Sequence, residues 1–221
     1  MKVYHGDIEK YDEKAYRDMA GTLSLTGKRK VESSKNELLR RQRIVAYSLL
    51  ARYQGKAGFS SISHSGRLVY VAVADVPVGI DVEEIARIRP KQVKRLADSH
   101  FFTEEERKRL RVANVEGFLR VWTMKEAMTK LTGVPLAKML GSVDYYAIMD
   151  RDGQEDGEGA VTFHYAAKEG AISDGAEQKD RGKREWLVQM RQWKEDGGIV
   201  TVCLGKKGEK DENIFDNPVK K

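Results

Sequence analysis

Residues 68–83 constrain the fold of this chain more than any other stretch. They read Leu-Val-Tyr-Val-Ala-Val-Ala, then Asp75-Val76-Pro77, then Val-Gly-Ile-Asp-Val-Glu. β-Branched and aromatic residues dominate both runs and a proline-bearing break divides them, so two strands joined by a tight turn are expected. In the second run Val78, Ile80 and Val82 fall on one face, and Gly79, Asp81 and Glu83 on the other. At a rise of ~3.3 Å per residue, the two carboxylates project side by side about 6–7 Å apart. Such a pair repels itself unless a cation or solvent intervenes.

Around these strands the pattern alternates between helix and strand. Residues 28–43, Lys-Arg-Lys-Val-Glu-Ser-Ser-Lys-Asn-Glu-Leu-Leu-Arg-Arg-Gln-Arg, lead into an apolar stretch whose spacing predicts a helix over 33–52 with a basic first half. Thr103 and Glu106 have the spacing of a capping box, so a helix should start at Thr103. A second helix is expected over 115–132, stopped by Gly133 and Pro135, with Trp122, Glu126 and Lys130 on one ridge at four-residue steps. Residues 143–149 and 161–167 read as strands about an acidic, glycine-rich turn at 150–157. Residues 168–184 read as a mobile loop. Residues 186–193 and 199–204 read as a hairpin about Asp196-Gly197-Gly198, and the tail from Lys206 is charge-dense. The fold class is therefore α+β, with two similar pseudo-symmetric lobes, each a small antiparallel sheet with a packed helix. The expected division is an N-terminal lobe over 1–100, a C-terminal lobe over 101–205 and a tail over 206–221.

Composition narrows the setting. A single cysteine, Cys203, leaves no internal disulfide to form and points to a reducing compartment, so a cytoplasmic location is expected. The first residues, Met-Lys-Val-Tyr-His-Gly-Asp, build no apolar core of a secretory signal. The longest apolar run, Leu68–Ala74, falls far short of the ~20 residues of a membrane-crossing helix. No membrane association is expected. The net charge of +6 is mild, so any anion site must come from local clusters. Histidines 5, 100 and 164 show no zinc-ligand spacing.

Three segments carry the candidate chemistry: Ser63-His64-Ser65-Gly66, Gly79-Ile80-Asp81-Val82-Glu83, and Trp122-Thr123-Met124-Lys125-Glu126-Ala127-Met128-Thr129-Lys130. Each alone is common. A strand-borne Asp-x-Glu is usually a solvated face, and Glu and Lys four apart on a helix usually form a surface pair. Their order, with Phe101-Phe102-Thr103-Glu104-Glu105-Glu106 between the second and third, resembles the 4′-phosphopantetheinyl transferase superfamily, in its two-lobed, surfactin-synthetase-activating type. The four blocks cover residues 63–130. The first 60 residues resemble the family only loosely.

The resemblance implies an enzyme of the holo-acyl-carrier-protein synthase class with its active site in the cleft between the lobes. Its reaction moves the 4′-phosphopantetheine arm of coenzyme A onto a serine of an acyl or peptidyl carrier protein and releases 3′,5′-ADP. Such enzymes serve fatty acid, polyketide or nonribosomal peptide biosynthesis. It implies Mg²⁺, with Mn²⁺ as a substitute, held by Asp81, Glu83 and Glu126. It implies Lys130 on the diphosphate, with Lys125 as a further phosphate contact, and Glu106 as the base for the carrier serine. Ser63 and His64 would grip the nucleotide near its 3′-phosphate, joined by Lys56 and by Lys28 and Lys30. The sequence departs from the family at Gly55-Lys56-Ala57, where the family has Gly-Lys-Pro. An acidic, serine-bearing carrier would meet basic residues such as Arg40, Arg41, Lys108, Arg109 and Arg111. A monomer is expected.

Two rivals stand beside this reading. The basic 28–43 segment suits a nucleic-acid-binding module, but no interleaved aromatic residues accompany it, so no nucleic acid partner is expected. A metal-dependent phosphohydrolase would use the same carboxylates with water in place of the serine.

Overall fold

The structure is a computed structural model, and it describes residues 1–99, 102–150, 159–167 and 184–207. The chain begins with strand β1 (Lys2–Asp7), followed by helices α1 (Glu13–Gly21), α2 (Leu25–Glu32) and α3 (Glu37–Tyr53). Strands β2 (Phe59–Ser65), β3 (Leu68–Ala74) and β4 (Val78–Glu84) come next. Helices α4 (Pro90–Ala97), α5 (Glu104–Leu110), α6 (Val115–Thr132), α7 (Leu136–Ser142) and α8 (Tyr145–Met149) follow. Strands β5 (Gly159–Ala167), β6 (Arg184–Glu195) and β7 (Gly198–Lys207) complete the described chain.

The strands form two antiparallel sheets, one in the order β1-β3-β2 and the other β4-β7-β6-β5. The α+β class and two-lobed plan hold: α3 lies on the first sheet and α6 on the second. The two strands and the tight turn expected over 68–83 are present, but the strands do not pair with each other. Every residue of β3 is buried, and its two edges are taken by β1 and β2, so β4 leaves after the turn and pairs with β7 instead. The change of sheet thus falls between β3 and β4.

Apolar alternation on β3 sorts the core. Leu68, Tyr70, Ala72 and Ala74 pack against Val78, Ile80 and Val82 of β4 and Val200, Val202 and Leu204 of β7, joining the two sheets. Val69, on the opposite face, packs with Ile44, Val45 and Ala46 of α3. The outer face of the second sheet, with Val188, Met190, Ile199 and Cys203, carries the helices around α6. Burying α6 between that sheet and the other helices explains why it is apolar nearly all round. Asn114 caps its start by accepting from Gly117 N at 2.8 Å, and Gly133 ends it in the left-handed region at φ 73°.

The expected helix over 33–52 is α3, shorter at its start because Asn36 caps it, with the basic residues before it in α2. The strand expected over 143–149 is a short helix, α8, because Asp144 accepts from Ala147 N and caps it. The strands expected at 161–167 and in the 186–204 hairpin are present as β5, β6 and β7. The acidic turn and mobile loop expected within 150–184, and the tail from 206, lie largely outside the described residues, as do His100 and Phe101.

Candidate active site

The site lies where the edge strand of each sheet meets the other. Alternation along β2 turns Ser61, Ser63 and Ser65 toward β4, and all three are buried. Ser61 Oγ accepts from Ile80 N at 3.1 Å, and Ser63 Oγ accepts from Val82 N at 3.3 Å. Ser63 Oγ also donates to Asp81 Oδ1 at 2.8 Å, and Ser65 Oγ donates to Glu83 Oε2 at 2.6 Å. Serine hydroxyls thus stand in for the backbone acceptors that a continuous sheet would have offered.

Gly79, Asp81 and Glu83 face α6. A Cβ at Gly79 would lie 2.0 Å from Ala127 O and 2.6 Å from Leu131 N, both backbone atoms of that helix. Only glycine lets α6 come this near, and that closeness brings the helix ridge onto the strand. Lys130 Nζ donates to Asp81 Oδ1 at 2.8 Å and to Ile80 O at 3.0 Å. Glu126, one turn earlier, is half-buried beside Asp81, Glu83 and Lys130. Of the expected ridge of Trp122, Glu126 and Lys130, the last two address the acidic strand, while Trp122 stacks on Phe118.

Three carboxyls here hold their protons more tightly than free ones. Burial is the main cause for Asp81, opposed by Lys130 and Ser63. Burial also raises Glu83, opposed by Ser65, while the neighbouring Asp81 adds to the rise. Glu126 is pushed up to about 7, first by burial and then by Asp81. Because its folded value lies above its unfolded one, the stability that Glu126 contributes is complete below the ordinary carboxylate range. It is lost as pH rises through about 7. Melts in the presence of a chelator, taken from about pH 5 to about pH 8, should therefore show wild type losing stability relative to Glu126→Gln, whose side chain stays neutral. Parallel curves would show that Glu126 is not held in this way.

One atom stands out electrostatically. Asp81 Oδ2 is buried and has no hydrogen-bond partner. An anionic oxygen taken from water and left unpaired is costly unless a cation completes it. Among the described residues, no group of three or more His, Cys, Asp or Glu side chains closes into a ready-made metal cage. A magnesium ion needs less, since it takes one or two carboxylates and fills its octahedron with water and substrate phosphate. A hard, all-oxygen donor set with an orphaned carboxylate oxygen fits such an ion.

His64, on the opposite face of β2 from the serines, is half-buried. Burial, and then the charges of Lys130 and Arg43, lower its proton affinity, so it stands neutral near pH 7. Arg43 was not singled out in the sequence, where it is one of seven Lys/Arg in a basic segment. In the structure it leaves α3 and donates to Lys30 O at 2.6 Å, with Ser33 and Ser34 hydroxyls at 3.2 and 3.3 Å, holding the end of α2 against α3. Lys28 and Lys30 are exposed on α2, and Lys56 is exposed after α3.

Three expected site residues are placed differently. Ser63 spends its hydroxyl on Asp81 and on β4. Glu106 and Lys125 are completely buried and paired with each other at 2.6 Å. Glu106 also accepts from Thr103 N at 3.1 Å in the predicted capping box, and from Tyr145 N at 2.9 Å. Lys125 donates to Leu140 O and, at 2.7 Å, to Val143 O, and lies over the Phe102 ring. Burial pushes the acid up and the amine down, each opposed by its partner, and three donors surround the carboxylate while three acceptors surround the amine. Sealed in this way, they tie α5, α6, α7 and α8 together.

The basic residues expected to meet a carrier are also engaged within the chain. Arg40 and Arg41 pair with Glu37, Arg41 also with Glu13, Lys108 with Glu104 and Glu105, Arg109 with Asp150, and Arg111 with Asp98. Among the described residues, no helix is long and apolar enough to cross a membrane.

The chain is similar to two curated proteins and to one family. A 4′-phosphopantetheinyl transferase psf-1 of Bacillus pumilus is 39% identical over 98 residues, 42% of this chain and 39% of that protein. A 4′-phosphopantetheinyl transferase gsp of Aneurinibacillus migulanus is 35% identical over 77 residues, 33% of this chain and 30% of that protein. In both, the match spans well under half the relative's own length. The sequence pattern of the 4′-phosphopantetheinyl transferase superfamily matches residues 77–189, which begins at the turn into β4 and takes in the acidic strand and α6. With half of its length matched, and the strand and helix that build the site inside the match, the chain belongs to the 4′-phosphopantetheinyl transferase superfamily.

Proposed function

We propose that this protein transfers the 4′-phosphopantetheine arm of coenzyme A to a serine of an acyl or peptidyl carrier protein, in a magnesium-dependent reaction. The observation that carries the reading is the Asp81 carboxylate: one oxygen is held by Ser63 and Lys130, and the other is buried without a partner beside Glu83 and Glu126. Asp81, Glu83 and Glu126 would hold the ion together with phosphate oxygens and water. When bound, the ion supplies Lewis-acid neutralisation of a diphosphate under attack.

The chain's own residues do the rest. The carrier serine Oγ bonds to the phosphorus that bears the pantetheine arm, its proton passes to water, and the bond from that phosphorus to the bridging oxygen breaks. The departing 3′,5′-ADP keeps that oxygen and its charge. The partly exposed ammonium of Lys130 stands at the cleft edge to stabilise this charge. His64, neutral, offers the nucleotide a hydrogen bond in place of a charge, and Arg43 supplies the nearby cation. Lys28, Lys30 and Lys56, all exposed, remain available to the 3′-phosphate.

Carrier protein incubated with coenzyme A, Mg²⁺ and this protein should gain the mass of one phosphopantetheine group. Consumption of coenzyme A without a carrier would point instead to a phosphohydrolase. Cytoplasmic location, monomeric state, tolerance of Mn²⁺ and an acidic carrier belong to this same reading.

A further inference from the structure

The seam between β2 and β4 has a regularity that joining two sheets does not require. The strands run in the same direction across it, and the contacts keep step: Ser61 to Ile80 N, Ser63 to Val82 N and Asp81, Ser65 to Glu83. Side chains two apart on β2 thus meet carboxylates two apart on β4. Ser61 touches only backbone in this register, whereas Ser63 and Ser65 each donate to an acid.

We infer that Ser63 and Ser65 are positioning residues that fix the rotation of Asp81 and Glu83, so that each carboxylate keeps one oxygen for an incoming divalent cation. Ser63 Oγ accepts from Val82 N, so its proton has a defined direction, toward Asp81 Oδ1. Lys130 holds the same oxygen, and two donors on Oδ1 leave Oδ2 as the one without a partner. At Glu83 the serine takes Oε2. Hydrogen bonds of this kind to metal-binding groups typically set affinity by 10–100-fold. This rests on the transfer function proposed above.

The seam supplies its own control. Ser61 is equally buried and makes the same type of bond to β4, but reaches no carboxylate. The full chain, with coenzyme A present, is titrated with Mn²⁺, and the free-ion electron paramagnetic resonance signal is followed against a blank of Mn²⁺ and coenzyme A alone. Folding is checked by thermal melts. Ser63→Ala and Ser65→Ala should each weaken Mn²⁺ binding by about 10–100-fold. Ser61→Ala should stay within about twofold, and Ser65→Thr, which keeps the hydroxyl, should recover most of the loss. Ser65→Ala removes no bond to the backbone of β4, so it remains informative if Ser63→Ala does not fold. Wild-type affinity in Ser65→Ala, or an equal loss in Ser61→Ala, overturns the inference while leaving the transfer reading intact. Failure of wild type itself to bind Mn²⁺ overturns both.

Discussion

Asp81→Asn should lower phosphopantetheine transfer by about 10³-fold or more while leaving a cooperatively folded protein. The substitution keeps the shape of the side chain and an oxygen for Ser63 and Lys130, but removes the charge that a cation would need at the buried Oδ2. Losing one preorganised electrostatic partner at a reacting phosphate or carbonyl costs about 10²–10³ in rate, and a lost metal adds its share. Glu126→Gln should act in the same direction, because its carboxyl lies within electrostatic reach of Asp81 and Glu83. The measurement is the initial rate of carrier mass gain. Transfer by Asp81→Asn within about tenfold of wild type would remove Asp81 from the mechanism.

The largest effect on stability should come from Lys125→Met. It leaves Glu106 completely buried without its partner, and strips the donor from Leu140 O and Val143 O. Breaking a buried pair from one side costs about 3–5 kcal/mol, which at this chain length is a fall in Tm of about 6–20 °C. The double variant Glu106→Gln with Lys125→Met removes both charges and should recover a good part of the loss. Urea unfolding of the three proteins measures it. A single variant as stable as wild type would show that the pair is not ionised in the folded protein.

The sequence showed much of the C-terminal lobe. Thr103 and Glu106 announced a capping box, and the box is present, although the same glutamate is also engaged by Lys125 and Tyr145 from segments far along the chain. Asp81, Glu126 and Lys130 were legible because period two on a strand and period four on a helix each select one face. That Gly79 lets those faces meet was not legible, since a glycine in a strand has several meanings. Residues 143–149 misled because tyrosine and isoleucine favour strands, while the helix there depends on the Asp144 cap. The strands β3 and β4 and the turn between them were legible, and so was the central place of β3: an uninterrupted apolar run marks a strand buried on both faces, with neighbours on either side. Nothing in the sequence showed that β1 would be one of them.

The serines at the seam also bear on how an open strand edge is covered. β4 is the edge of its sheet, and the N–H groups of Ile80 and Val82 point outward from it, as they would on any strand ready to recruit a foreign chain. Proteins often blunt such an edge with charge, proline or a bulge. Here Ser61 and Ser63 occupy it from within, so the first lobe serves as a permanent cover for the second. Prising the lobes apart would expose buried acids and an adhesive strand together. A chain cut between β3 and β4 should therefore yield a C-terminal fragment prone to self-association.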